Sequence, residues 1–257
     1  MTEFCKVERE GPLTIVTIDR PDVMNSLHPA ANFELEEIFD DFANDPDQWV
    51  AIITGAGDRA FSAGNDLKYQ ASGGKMSSPN SGFAGLTARF DNVKPVIAAV
   101  NGIAMGGGFE IALACDLIIA SENAIFALPE PRVGLAALAG GMHRLPREIG
   151  MKQAMGMLLT GRRVGAEEGK SLGFVNEVVA AGDALEAAKR WAALILECAP
   201  LSVRCSKQSA MDGMSESSLE AAIKGKYSST STMVKSGDFV EGPLAFSEKR
   251  MPVWKGE

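Results

Sequence analysis

Residues 95–130 read PVIAAVNGIAMGGGFEIALACDLIIASENAIFALPE, and the fold turns on how this stretch is read. PVIAAV is a short, apolar, β-branched run of the kind that forms a buried strand. Asn101-Gly102 then punctuates the chain. Gly106, Gly107 and Gly108 follow, and FEIALA reads as the first turns of a helix. Glycines permit positive φ and let a ligand approach the backbone closely. The first N–H groups of a helix have no partner within it, and the helix dipole favours negative charge there. The triple glycine therefore offers an anion or oxyanion site. A tight strand-to-helix connection that binds nothing would use the same residues. Of the four acids in this stretch, Glu110 and Glu130 stand where the surroundings are otherwise almost uncharged. Glu110 falls in the first turn of the helix, either as a dipole-stabilising acid or as a carboxylate whose apolar flanks raise its pKa. Glu130 is bracketed by Pro129 and Pro131, a rigid mount that suits a catalytic acid and equally an exposed turn. Twenty residues separate the two acids, and that spacing alone does not place them together.

Working outward, VAIIT (50–54) reads as an apolar strand, followed by GAGDRAFSAGNDLK (55–68). Its Gly64-Asn65-Asp66 turn could supply a second set of free N–H groups, so that a two-donor oxyanion site would take one N–H from each loop. The alternative is a solvated loop built from turn-forming residues. LTIVTID (13–19) reads as a strand, and ANFELEEIFDDFAND (31–45) as an amphipathic helix with Leu35, Ile38, Phe39 and Phe42 on one face. Strands alternating with helices indicate an α/β fold. From about Leu185 the chain turns helical and Ala-rich, as in ALEAAKRWAALILECA. No composition shift marks a second globular domain, and 257 residues suffice for a full core.

The net charge is −8, from 33 acidic and 25 basic residues, which argues against nucleic acid as the main partner. Lys68, Lys249 and Arg250 remain candidates for a local basic patch. The cysteines Cys5, Cys115, Cys198 and Cys205 show neither metal nor redox spacing, and Cys115 reads as a core residue of an apolar helix. The polar start MTEFCKVEREG lacks an apolar signal region, and no stretch is long and apolar enough to span a bilayer. The expectation is a reducing, cytoplasmic setting without membrane contact.

Two motifs mislead. GAEEGKS (165–171) has three residues between its glycines where a phosphate-binding loop needs four, and Gly173 interrupts the helix that should follow. AFSAG (60–64) approaches a nucleophile elbow around Ser62, with Ala60 in place of the first glycine. The only histidines, His28 before Pro29 and His143 beside Arg144, are not poised as its base, so a serine hydrolase is disfavoured.

Taken together, several blocks in one order resemble the crotonase, or enoyl-CoA hydratase/isomerase, superfamily. They are IDRPDVMNSL (18–27), FSAGNDLK (61–68), KPVIAAVNGIAMGGGFEIALACDLIIAS (94–121), FALPEPRVGL (126–135), GGMHRLPREIG (140–150), LLTGRRVGAEEGKSLGFVNEVV (158–179) and EGPLAFSEKRMPVWKG (241–256). The resemblance runs nearly end to end. It implies an α/β fold, a spiral of ββα turns over residues 1–184 that carries the active site. A C-terminal helical region, 185–257, would serve oligomerisation and cap the coenzyme. It puts the two oxyanion N–H groups on Asn65 and Gly107, and the two hydratase glutamates on Glu110 and Glu130. Ala63 matches the position whose carbonyl meets the adenine of coenzyme A, Asn65, Asp66, Leu67 and Lys68 would line its thioester and pantetheine end, and Gly106 and Gly107 would bind the substrate as well. Phe246 and Lys249 match residues that approach the adenosine and phosphates, often from a neighbouring subunit.

The implied reaction is reversible syn hydration of a trans-2-enoyl-CoA, with Glu110 as base and Glu130 as acid, with no metal and no cofactor besides the coenzyme A of the substrate. The implied assembly is a homotrimer or a dimer of trimers. A Δ3,Δ2-enoyl-CoA isomerase needs only one acid/base and is the main alternative, with a non-catalytic coenzyme A-binding paralogue behind it. The chain departs from the family pattern where Ala137 replaces a proline in residues 134–141. That change and the Gly-, Ser- and Asn-rich rim at residues 70–86 leave acyl specificity open.

Overall fold

In four of the five long strands of this chain the apolar residues alternate between two destinations, and both are buried. The computed structural model describes residues 2–257. β1 (Cys5–Glu10) and β2 (Leu13–Ile18) form an antiparallel hairpin. Three successive turns then each supply one long and one short strand. The first gives β3 (Val50–Gly55) and β4 (Ala60–Ser62), the second β5 (Val96–Val100) and β6 (Ile103–Met105), and the third β7 (Leu117–Ser121) and β8 (Ile125–Ala127). β9 (Val164–Gly165) and β10 (Glu177–Val179) complete the set. The long strands and the three-residue β10 form one sheet in the order β1-β2-β3-β5-β7-β10, parallel from β2 onward, and the remaining short ones another in the order β4-β6-β8-β9.

Period two explains the packing. Val16, Ile18, Ala51, Ile53, Val96, Ala98, Val100, Ile118 and Ala120 face one core. Their neighbours Leu13, Ile15, Val50, Ile52, Ile97, Ala99 and Ile119 face another. A parallel sheet covered on both sides reads as a continuous apolar run rather than as an alternation, as VAIIT and PVIAAV do.

Helices cover the two faces. α1 (Pro29–Asn44) starts at His28, whose Nδ1 accepts the Ala31 N–H at 3.1 Å, and buries Leu35, Ile38, Phe39 and Phe42 as its spacing predicts. α2 (Leu67–Ala71) and α3 (Gly107–Ala114) follow the first and second turns. A 3-10 turn (Glu130–Val133) and α4 (Gly141–Ile149) follow the third. Each turn is thus β-β-α, the spiral that the resemblance implies. Phe109, Phe126 and Phe174 meet in pairs with ring centres 5.1 to 5.2 Å apart and tie α3 and the small sheet together. α5 (Met151–Thr160) and α6 (Ala166–Leu172) lead to α7 (Ala184–Leu196). The fully buried Ala187, Ala188 and Ala192 let α7 lie against the second core of the large sheet. α8 (Pro200–Gly213), α9 (Leu219–Lys224), α10 (Ser228–Met233) and α11 (Gly237–Glu248) end the chain.

Residues 103–105, which the sequence assigns to no element, form a strand, because Ile103–Met105 pairs in parallel with β4 on one side and β8 on the other. One local expectation changes. Cys115 caps α3 instead of lying within it; burial pushes its thiol well up, and Sγ donates to the Ile111 carbonyl at 3.3 Å. Gly173 ends α6 in the left-handed region at φ 106°, so GAEEGKS is the edge of a strand and a two-turn helix. Among the described residues no helix is long and apolar enough to cross a membrane.

Candidate active site

β4, β6 and β8 pair in parallel, so the segments that leave them emerge side by side. Asn65 follows β4, Gly107 follows β6 and Glu130 follows β8. These three, together with Glu110 on α3, line one cavity of about 1470 Å³. The twenty residues between the two acids are one turn of the spiral.

The loop after β4 is pressed onto the start of α3. Gly64 has φ 80°, and a Cβ there would lie 2.6 Å from the Gly107 nitrogen and 2.7 Å from the Met105 oxygen. Of the three N–H groups in this turn, Gly64 donates to Ser62 Oγ at 3.1 Å and Asp66 to the Leu27 carbonyl at 3.1 Å. The Asn65 N–H donates to nothing among the described residues. After β6, the Gly106 N–H donates to the Ala127 carbonyl at 2.9 Å. Gly107 opens α3, where an N–H has no intrahelical partner, and it has no other acceptor among the described residues. Each loop therefore leaves a single free N–H in a residue of the cavity wall.

Glu110 is 3% exposed. Burial pushes its carboxyl up to about 7; the nearby Glu130 adds to this, while the N–H groups of Gly141 and Ala139 oppose it. Gly141, the first residue of α4, donates to Glu110 Oε1 at 2.9 Å, so the carboxylate sits at the N-terminal end of that helix. Burial raises Glu130 as well. Its Oε2 is buried with no hydrogen-bond partner among the described residues. Gly106, at φ 55°, leaves room for it: a Cβ there would stand 3.1 Å from Glu130 Oε1. The pair is thus built so that neither carboxylate ionises as readily as one in water.

The other expected site residues do not line this cavity. Ala63 donates its N–H to the Met24 carbonyl. Asp66 caps α2 through the Tyr69 N–H and pairs with Arg20 at 3.1 Å; burial pushes its carboxyl up, but these two partners hold it below the usual range. Leu67 and Lys68 are exposed on α2. Phe246 is 86% exposed on α11, and Lys249 ends that helix at φ 56°. Arg250 is engaged by Glu241 and Glu248, each at 2.6 Å. Ser62 is fully buried and donates to the Asn25 carbonyl at 2.8 Å, with no hydrogen bond to a histidine among the described residues. The rim expected at residues 70–86 contributes Met76, Ser77, Ser78, Gly82 and Phe83 to the wall.

Sequence reasoning did not foresee the far wall. It is built from Phe90 and from one side of α4 with His143, Arg144 and Arg147, faced by Lys207, Met211 and Asp212 at the end of α8. The helical spacing of Gly140, His143, Arg144 and Arg147 was the available signal. No group of three or more His, Cys, Asp or Glu side chains that could hold a metal occurs among the described residues.

A sheet of parallel turns with paired glutamates beside two helix-loop N–H groups defines a crotonase-type enzyme. The family model for enoyl-CoA hydratase/isomerase matches residues 8–257, and the chain belongs to that family. It is 43% identical over 265 residues to the carnitinyl-CoA dehydratase of Escherichia coli K12, covering 100% of both chains. The solved structure of an enoyl-CoA hydratase from Mycobacterium tuberculosis H37Rv superposes with a TM-score of 0.93 at 36% identity over 99% of each chain. That of a carnitinyl-CoA hydratase from Mycobacterium avium does so at 0.79 and 42% identity over 100% of each. These relatives are named as a dehydratase and as hydratases.

Proposed function

We propose that the enzyme adds water reversibly, in syn fashion, across the C2–C3 double bond of a trans-2-enoyl-CoA to give a 3-hydroxyacyl-CoA. The observation that carries this reading is the meeting of Glu110 and Glu130 in one cavity with the free N–H groups of Asn65 and Gly107. The thioester oxygen accepts those two N–H groups. Negative charge that builds on it as the enolate forms is stabilised more than in the ground state. The two acids share one proton and hold one water. Glu110, whose ionised form the Gly141 N–H favours, takes a proton from the water as its oxygen bonds to C3. Glu130, with its unpartnered buried oxygen, carries the shared proton and gives it to C2. The coenzyme would lie along residues 63–68 and Gly106. Phe246 and Lys249, which do not line the cavity of their own chain, would reach it from a neighbouring subunit of a trimer-based assembly; exposed Phe239, Val240 and Leu244 on α11 support such a contact.

The match to carnitinyl-CoA dehydratases favours a second reading, the same chemistry run as dehydration of carnitinyl-CoA. Both are tested by following the absorbance of the conjugated enoyl thioester, with crotonyl-CoA consumed in one direction and carnitinyl-CoA dehydrated in the other. Glu110→Gln and Glu130→Gln should each lower kcat by about a hundred- to ten-thousandfold. Full activity in either variant would overturn the two-carboxylate mechanism, turnover of a 3-enoyl-CoA without any hydration would point to a one-base isomerase, and absence of turnover with any acyl-CoA would leave a passive binder.

A further inference from the structure

We propose that the acyl group this site prefers ends in a carboxylate, and that Arg144 is the residue that recognises it. The inference rests on the hydratase reading and adds the substrate class. α4 turns Gly140, His143, Arg144 and Arg147 toward the cavity. Arg144 is the arginine of this set whose charge reaches the reacting end. Its guanidinium fills the space over Gly140, one residue before the Gly141 that donates to Glu110, and its charge is felt by Glu110. The ring of Phe90 lies under it, with Cζ 5.6 Å from the ring centre.

Half-buried as it is, Arg144 forms no ion pair and donates no side-chain hydrogen bond among the described residues. A guanidinium presents five N–H donors in a fixed fork, so one held at a cavity wall without an acceptor is complementary to a planar anion. The other charges do not supply it. Glu148, one turn along α4, and Glu110 act on Arg144 only through their field. Lys207 is taken up by Asp116 at 2.9 Å and by the Lys94 carbonyl at 2.8 Å. Arg147 donates to the His143 carbonyl at 2.7 Å. Asp212 is the one carboxylate on the α8 side of the lining. Apart from the catalytic pair, the wall therefore carries Arg144 and Arg147 against Asp212, an excess of positive charge. A trimethylammonium tail would meet that charge and find the Phe90 face already covered. A carboxylate would take two parallel N–H bonds from Arg144. Coenzyme phosphates are the other anions at hand, but the place of Arg144 beside the Gly141–Glu110 contact puts it at the acyl end.

Calorimetric titration of the wild-type enzyme and of Arg144→Leu with glutaryl-CoA, butyryl-CoA, 4-trimethylammoniobutyryl-CoA and free CoA tests this without requiring turnover. The wild type should bind glutaryl-CoA about ten- to a hundredfold tighter than butyryl-CoA, the range expected for a charge-assisted hydrogen bond. Arg144→Leu should erase that preference, and Arg144→Lys should restore part of it. In turnover, the kcat/KM ratio of trans-glutaconyl-CoA to crotonyl-CoA should fall by a similar factor in Arg144→Leu. Equal wild-type affinity for glutaryl- and butyryl-CoA overturns the proposal, as does tightest binding of the trimethylammonium compound. An equal loss for all four ligands, free CoA included, would assign Arg144 to the phosphates. An equal loss of kcat with both enoyl substrates, ratio unchanged, would make it a positioning residue for Glu110. Failure of the hydratase reading looks different: no enoyl-CoA would be hydrated, whatever the binding preference.

Discussion

Replacing Gly64 by alanine tests the two-loop arrangement at its tightest point. The new Cβ would lie 2.6 Å from the Gly107 nitrogen and 2.7 Å from the Met105 oxygen, both backbone atoms of the strand and helix that carry the second N–H. Reaching an ordinary 3.4 Å contact separates the loops by about 0.8 Å, close to the 1 Å misplacement that costs on the order of a hundredfold in rate. Residue 64 also sits at φ 80°, where a side chain costs roughly 1–2 kcal/mol. The variant should therefore remain folded but lose about 1–3 kcal/mol of stability, once relaxation around the new methyl is included. Its kcat for crotonyl-CoA should drop about a hundred- to a thousandfold, the loss expected when one donor of such a pair is withdrawn. The assay pairs a urea melt with initial rates, corrected for folded fraction, and with the affinity for butyryl-CoA. A folded Gly64→Ala enzyme within threefold of wild-type kcat would refute the reasoning, since the carbonyl would then not depend on the spacing of Asn65 and Gly107.

Glu110→Gln should alter the pH dependence of stability. The carboxyl is raised from 4.5 to about 7 in the folded chain, so its contribution is fully present below pH 4.5 and is lost as pH rises through 7. Relative to wild type the variant should gain about 3 kcal/mol between those limits, read from urea midpoints at pH 5 and pH 8; a pH-independent difference would contradict the burial argument. Because Glu110 acts ionised in the proposed direction, wild-type kcat/KM for hydration should fall below about pH 7, and a flat profile down to pH 5 would remove it as the base. Lys94 is buried, with Nζ donating to the Phe42 and Asp45 carbonyls at 2.7 and 2.6 Å. Lys94→Met should cost about 2–4 kcal/mol by stranding both, and a melt unchanged within experimental error would show that water replaces it. Ser62→Ala should keep kcat within tenfold while losing about 1–2 kcal/mol of stability, because Ser62 serves the Asn25 carbonyl and the Gly64 N–H; loss of all turnover in a folded protein would revive the nucleophile reading.

The long strands were legible because a sheet buried on both faces leaves uninterrupted apolar runs, and α1 because its buried face repeats every three to four residues. The short strands were not. Ile103–Met105 and Ile125–Ala127 are three residues each, too brief for any period to show, and their pairing depends on partners tens of residues away. β1, CKVERE, hides for a different reason: it is an edge strand with Cys5 alone buried, so its composition is that of a polar surface. At the site, the glycines and the two acids could be read locally, but their meeting could not, because it follows from the pairing of β4, β6 and β8. The free state of the Asn65 N–H was likewise invisible, since it depends on which neighbours Ser62 Oγ and the Leu27 carbonyl satisfy. Arg144 gives no such signal beside His143, because a basic residue on a surface helix carries no sign of the wall it faces.

The stacking of the three turns has a consequence for how such a chain can diverge. On the proposed reading, the grip on the thioester is made by main-chain atoms of the first and second turns, and an amide proton survives replacement of every side chain except by proline. The proton chemistry is delegated to carboxyl groups, one of them on the third turn. A descendant that exchanged Glu130 would keep an activated thioester and lose only one proton carrier. The spiral thereby separates the half of the reaction that is hard to rebuild from the half that a single codon can rewrite.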